Sequence, residues 1–137
     1  MTTTEAWQGW LALEHEAVWL YPVIGARFDA LAERARGSHA AHRSTRDRLL
    51  ARLHALDVEP EAARLTYDVT ALRTAKQAVR AARRVERGIA AACIALVGES
   101  ADEDTRTYAI TGLRRAALAD RTWGGPPRAF PGLSAQS

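Results

Sequence analysis

Apolar residues recur at steps of three and four along almost the whole of this chain, and hardly anywhere do apolar and polar residues alternate between turn dipeptides. That spacing gathers apolar side chains on one face of a helix, whereas a half-buried strand needs a period of two. The chain is therefore predicted to be all-α. With 137 residues, 47% of them hydrophobic, it can bury one core but not two. Five prolines and nine glycines are too few for a disordered or low-complexity chain.

Helix boundaries follow from capping chemistry. Thr2 and Glu5 stand at capping-box spacing, so helix 1 is expected to run from there to about Arg36, with Gly37 as its stop and Pro22 kinking it near Trp19 to Tyr21. Ser38 then serves as the N-cap of helix 2, which ends in the turn Asp57 to Pro60. Helix 3 is expected from Asp68 or Thr70 to Val97, with Gly98 as C-cap. Helix 4 opens at Ser100 and Glu103 and stops at Trp123, before Gly124, Gly125, Pro126 and Pro127. The short links between helices 1 and 2 and between 3 and 4 enforce antiparallel hairpins. The link from Asp57 to Tyr67 could span about 35 Å extended, against about 28 Å for helix 2, unless Glu61 to Leu65 forms a helical turn that shortens it. The predicted architecture is a four-helix bundle over residues 1–123 with one long crossover between helices 2 and 3, followed by an extended tail over 124–137 in which Phe130 and Leu133 dock on the bundle.

The inward stripes carry the chemistry. Helix 1 aligns Trp7, Trp10, Glu14, Ala17, Tyr21, Ile24, Phe28 and Leu31, and helix 3 aligns Leu72, Ala75, Val79, Ala82, Glu86, Ile89, Cys93 and Leu96. Each apolar stripe is broken once by a glutamate. Helix 2 offers His39, His42, Arg46, Leu49, Leu53 and Leu56, bringing imidazoles and a guanidinium to the same level. A buried carboxylate must find a cation or a hydrogen-bond donor, so Glu14, His42, Arg46 and Glu86 are predicted to form a buried polar network. Two other readings use the same residues. One is a single metal ion on Glu14, His42 and Glu86, with His39 as a further ligand, against which Arg46 would repel the cation. The other is a pocket for a small anion or cofactor anchored by Arg46. His15 and His54 fall off the inward stripes and read as surface or rim residues. Cys93, on a core face without a basic neighbour, reads as a small hydrophobe. Helix 4 shows a small-residue face of Thr105, Ala109, Gly112, Ala116, Ala119 and Trp123, with Asp120 beside it.

The stretches LALEHEAVWLYPVIGAR, AHRSTRDRLLARL and RRVERGIAAA, with the ending AFPGL, resemble a small ferritin-like domain family of unassigned function common in high-GC bacteria. The resemblance runs from about Trp10 to Leu133 and implies a ferritin-like bundle. A ferritin-like di-iron site takes a glutamate from each of two helices and Glu-x-x-His from each of the other two. This chain has no Glu-x-x-His, so the resemblance implies the bundle and not the dinuclear centre. The expected function is a non-catalytic binding or interaction module, with a metal-binding redox or storage protein of reduced ligand set (iron, manganese or zinc) as the alternative.

Charge and cysteine content narrow the partners. Eighteen of the nineteen basic residues are arginine, and the net charge is only +3, which fits a high-GC genome as well as it fits phosphate binding. Helix 3 presents Arg73, Lys76, Arg80, Arg83, Arg84 and Arg87 with no acid interleaved on its own surface. Without base-stacking aromatics between them, nucleic acid is disfavoured, and an acidic protein partner or acids of a neighbouring helix are expected instead. Trp19, off the main core face, marks a candidate homodimer contact. One cysteine, no basic leader before an apolar run and no membrane-length apolar stretch place the chain in the cytoplasm, away from the membrane.

Overall fold

A computed structural model of the chain describes residues 1–127 and 129. It is all-helical, with α1 over Thr3–Arg27, a short 3-10 turn over Asp29–Leu31, α2 over Ala32–Ala55, α3 over Ala75–Glu99 and α4 over Glu103–Thr122. Four helices form the expected bundle. α1 packs on both α2 and α3, and α3 packs on α4. The pairs Thr3 with Glu99, Glu16 with Arg84, and Arg27 with Leu72 show that α3 runs antiparallel to α1. It is therefore parallel to α2, which is what a long crossover makes possible.

The hairpin between α1 and α2 turns nine residues earlier than Gly37 suggests. Phe28 leaves the helix in an extended conformation (φ −131°, ψ 95°), and its N–H still closes on the Ile24 carbonyl at 3.0 Å. Pro22, on the exposed side, lies inside α1 and does not end it. The reason is tertiary. Folding about residues 29–30 seats Ala35 against Gly25 and brings His42 level with Glu14, and it buries Leu31 and Ala35. Ser38, expected as an N-cap, sits inside α2 and accepts from Trp123 Nε1–H at 3.0 Å, tying α2 to the end of α4. Gly37 is an exposed interior position of a helix.

The crossover is also longer than expected, because α3 begins at Ala75. Asp68 accepts from the Thr70 N–H (2.9 Å) and hydroxyl (2.8 Å), so it caps a turn rather than a helix. The helix is opened by Thr74, which forms a capping box with Gln77. Glu61 to Leu65 carries no helix. The link runs alongside α1 from one end to the other. Gln8 donates to the Glu59 carbonyl (2.8 Å) and accepts from the Glu61 N–H (2.9 Å), His15 meets the Glu61 carbonyl at 3.0 Å, and Arg27 donates to the carbonyls of Val69 and Leu72 at 3.3 Å. Trp19 is covered by Tyr67 of this link, the ring centroids 5.5 Å apart. Periodicity does not show this contact, which leaves Trp19 half-buried.

At the other end, α4 is capped by Asp102, which accepts from Thr105 N–H at 2.8 Å, while Ser100 serves as the C-cap of α3. Gly98 lies in the last turn of α3. The small face of α4 fits under aromatic rings. A Cβ on Gly112 would lie 2.4 Å from Trp10 and 2.9 Å from the Cys93 sulfur. Gly124, at φ +87°, and Gly125 end α4, and a Cβ on Gly125 would meet Asp120 Oδ2 at 2.2 Å. Phe130, Leu133 and most of the expected docked tail lie outside the described residues. No helix among the described residues is long and apolar enough to cross a membrane.

Two glycines make opposite predictions. Gly37→Ala places its methyl where nothing lies within 4 Å and should stabilise the fold by about 0.5–1 kcal/mol. Gly112→Ala drives a methyl into Trp10 and should destabilise it by roughly 1–3 kcal/mol. Urea midpoints of the two variants against the parent check both signs.

Candidate functional site

The interior at the level of Glu14 is polar and closed. α1 supplies Glu14 and Tyr21, α2 supplies His42 and α3 supplies Glu86, with Glu14 1%, His42 8% and Glu86 0% exposed. The imidazole of His42 lies between the two carboxylates. Nδ1 is 2.6 Å from Glu14 Oε2, and Nε2 is 2.6 Å from Glu86 Oε1. Tyr21 Oη–H donates to the same Glu86 Oε1 at 2.6 Å, and Trp10 Nε1–H donates to Glu14 Oε1 at 2.9 Å. Tyr21 also stacks on His42, with centroids 5.4 Å apart and planes 10° from parallel, and Trp123 stacks on Tyr21 in turn, with centroids 5.5 Å apart.

This arrangement decides the protonation of His42. Burial alone would lower its pKa, but the hydrogen bonds to Glu14 and Glu86 and their negative charges outweigh it and raise the value to about 10. The ring is then an imidazolium that donates from both nitrogens. In that state each ring nitrogen carries a proton directed at one carboxylate. Tyr21 is held well above its usual range, first by burial and then by the charge and hydrogen bond of Glu86, so it stays a neutral donor. Burial likewise pushes the Cys93 thiol up, with a further push from Glu14, leaving it inert.

Glu14, His42 and Glu86 therefore come together as the stripes imply, but two of the other candidates do not. Arg46 turns aside and pairs with its neighbour Asp47 (2.9 and 3.1 Å). The buried face of α2 runs through Ala35, His42, Thr45, Leu49 and Leu53, so the position assigned to Arg46 belongs to Thr45. The residues three and four after His42 both lie near its face of the helix, and the packing buries the nearer, Thr45, leaving Arg46 at the edge. His39 is half-buried, outside the cluster. Burial and the charges of Arg43, Arg46 and His42 lower its pKa, so it is neutral. Tyr21 and Trp10, the donors that complete the network, stood on the predicted stripe of helix 1 without being assigned a polar role. His15 is buried by the crossover rather than exposed.

Among the described residues, no group of three or more His, Cys, Asp or Glu side chains converges as a metal site. Glu14 and Glu86 approach opposite edges of one ring instead of facing a shared point. α4 contributes Ala109, Gly112 and Ala116 to its buried side, and its one buried acid, Asp120, is 3.4 Å from Arg83 Nε and 3.8 Å from Arg87 Nε. With Arg84 2.6 Å from Glu16 of α1, three of the six cations on the α3 stripe meet acids of neighbouring helices.

One atom of the network is incomplete. Glu86 Oε1 accepts two hydrogen bonds, while Oε2 is buried without a partner. Glu86 lines a cavity of about 230 Å³ between α3 and α4, bounded by Ala90, Ala116, Leu118 and, at the mouth, Pro126 and Pro127. It also lines a smaller one of about 70 Å³ shared with Glu14 and His42.

Fold and site define a four-helix bundle with a buried acid–imidazole–acid core. Residues 6–135 match the family described as Domain of unknown function (DUF4439), and the chain belongs to that family. It is similar in structure to the conserved hypothetical protein rv2844 from Mycobacterium tuberculosis, with a TM-score of 0.82 and 27% identity over 88% of this chain and 93% of that one. No curated protein sequence matches it significantly.

The pH dependence of stability checks the protonation of His42. Its pKa is raised from the ordinary 6.5 to about 10 on folding, so the folded state binds the proton more tightly, and the stabilisation is complete below pH ~6.5 and lost as pH rises towards 10. Urea midpoints should fall across that window, and the slope attributable to this site should vanish in His42→Gln. His42→Ala, which strands two buried carboxylates, should cost about 3–5 kcal/mol at neutral pH.

Proposed function

We propose that this protein is a non-catalytic binding module built on a ferritin-like bundle, in which the imidazolium of His42 stands where a metal centre would sit. The supporting chemistry is the commitment of its groups. Both ring nitrogens bond carboxylates, the tyrosine is held neutral and burial keeps the thiol protonated, so His42, Tyr21 and Cys93 are each committed to the interior network or core. A dinuclear iron centre would need about four carboxylates and two imidazoles, and this interior offers Glu14, Glu86 and His42.

The observation that carries the binding reading is the unpartnered Glu86 Oε2 beside the cavity of about 230 Å³. A buried acceptor without a donor is costly, and the cavity around it joins apolar walls of alanine, leucine and proline to three further charged side chains, Arg87, Asp120 and Arg121. A small ligand with an ammonium or other N–H donor at one end and an apolar body fits both features. The same free oxygen is the one feature that favours the metal reading, so the two must be separated by measurement.

Protein purified without chelator should contain well under one equivalent of iron, manganese or zinc; a stoichiometric metal that Glu86→Ala removes would overturn the proposal. Titration with n-butylammonium should shift the amides of Ala90, Ala116 and Ala117 saturably, and Glu86→Gln should abolish the effect. Unperturbed amides in the parent protein would dismiss the cavity as a ligand site.

A further inference from the structure

Four buried side-chain atoms among the described residues have no hydrogen-bond partner: Glu86 Oε2, Trp7 Nε1, Arg52 Nε and Tyr108 Oη. The first is an acceptor. The other three can all donate, and they lie together away from Glu86, at the other end of the bundle. The Arg52 guanidinium sits over the Tyr108 ring at 4.5 Å and the Trp7 ring at 5.7 Å, and the two rings are 5.6 Å apart. One orphaned donor is an ordinary defect, but Arg52 Nε and Tyr108 Oη, from two side chains in contact that line one groove, mark a place where an acceptor is missing.

Beside them is a groove of about 340 Å³ between α2 and α4, lined by Arg48, Arg52 and Arg115 with Tyr108 and Thr107, against one carboxylate, Asp104. Among the described residues, none of these arginines is in an ion pair, since the acids that pair with arginine are Asp47, Glu16 and Asp120, each with other partners. Arg48 is anchored instead by its bonds to the Ser44 carbonyl (3.3 Å) and hydroxyl (3.1 Å). Three cations against one anion leave a local charge near +2. We propose that this groove is an oxyanion site that takes a tetrahedral phosphate-type dianion, free or as the phosphoryl group of a small ester.

Guanidinium forks match phosphate oxygens in pairs, and Arg52 is already immobilised between two rings, so little ordering is needed on binding. Burial holds the Tyr108 hydroxyl above its usual pKa in spite of the pull of Arg48, Arg52 and Arg115, which keeps it a donor. The aromatic face under Arg52 also gives an ester's organic group a surface to lie on. The site shares no residue with the cavity of about 230 Å³ beside Glu86, though Arg115 also lines the smaller one, and it stands independently of that reading.

The test is a titration of the full chain with inorganic phosphate in a non-phosphate buffer of low ionic strength, with sodium chloride added to matched ionic strength as the control. Amide shifts of Thr107, Tyr108 and Arg115 should saturate with phosphate and not with chloride. Arg52→Gln and Arg115→Gln should each weaken binding about tenfold, whereas Lys76→Gln with Arg80→Gln on α3 should leave it unchanged. Because Arg48 and Arg115 are exposed, their glutamine variants keep the fold and decide the matter if Arg52→Gln does not. Phenyl phosphate binding more tightly than inorganic phosphate would assign the esterified group as the natural source, and equal affinity the free anion. A response reproduced by chloride, equal losses in the α3 variant, or unchanged saturation in the Arg48 and Arg115 variants would each overturn the assignment.

Discussion

The bundle depends on one cation enclosed by two anions. Glu14 and Glu86 come from helices that face each other across the interior, and neither could be buried unless something charged and doubly donating stood between them. An imidazolium does both, with its two N–H groups on opposite edges of a flat ring. Lysine would offer a point charge without the span, and a neutral imidazole could satisfy only one side. The aromatic layer of Tyr21 and Trp123 over the ring then fixes its plane, and the small face of α4 closes the space over Trp10. Each neighbouring choice of residue is intelligible once that charge sandwich is in place.

How much of this could be read from the chain varies with the range of the interaction. The helical period and the single glutamate on each of two stripes are local features, and they placed Glu14, His42 and Glu86 inside together. Arg46 was misplaced because residues 45 and 46 straddle the inward face and spacing alone does not choose between them, while the boundary of α2 is set by the packing of Ala35 on Gly25 rather than by Gly37. A glycine in a helix is tolerated at about 1 kcal/mol when tertiary contacts outweigh it. The start of α3 was masked by a second reading of Asp68, whose carboxylate bonds as readily within an Asx-type turn as at a helix end. The crossover's course along α1 left no trace in periodicity at all, and with it the burial of His15 and the covering of Trp19 were out of reach.

The arginines illustrate a different limit. A stripe on α3 looked like a basic surface because sequence spacing shows only acids on the same helix. In three dimensions Asp120 and Glu16 meet half of that stripe, while Arg48, Arg52 and Arg115, which no single helical stripe unites, gather across the α2–α4 seam. Composition with eighteen arginines cannot tell these two groups apart. Their difference lies in which acids the fold carries to them.

Because the charge sandwich draws on both helical hairpins, it also bears on how the molecule becomes cooperative. The α1–α2 hairpin can join Glu14 to His42 by local folding, and the α3–α4 hairpin can join Asp120 to its arginines. Glu86, however, acquires its two donors only when the halves dock, after the whole crossover has been closed as a loop. Neither half is electrostatically complete alone: one holds a proton donor with no acceptor, and the other an acceptor with no donor. Joining them removes both deficits in one step, so the buried polar core acts as a latch that makes the two hairpins fold as a single unit.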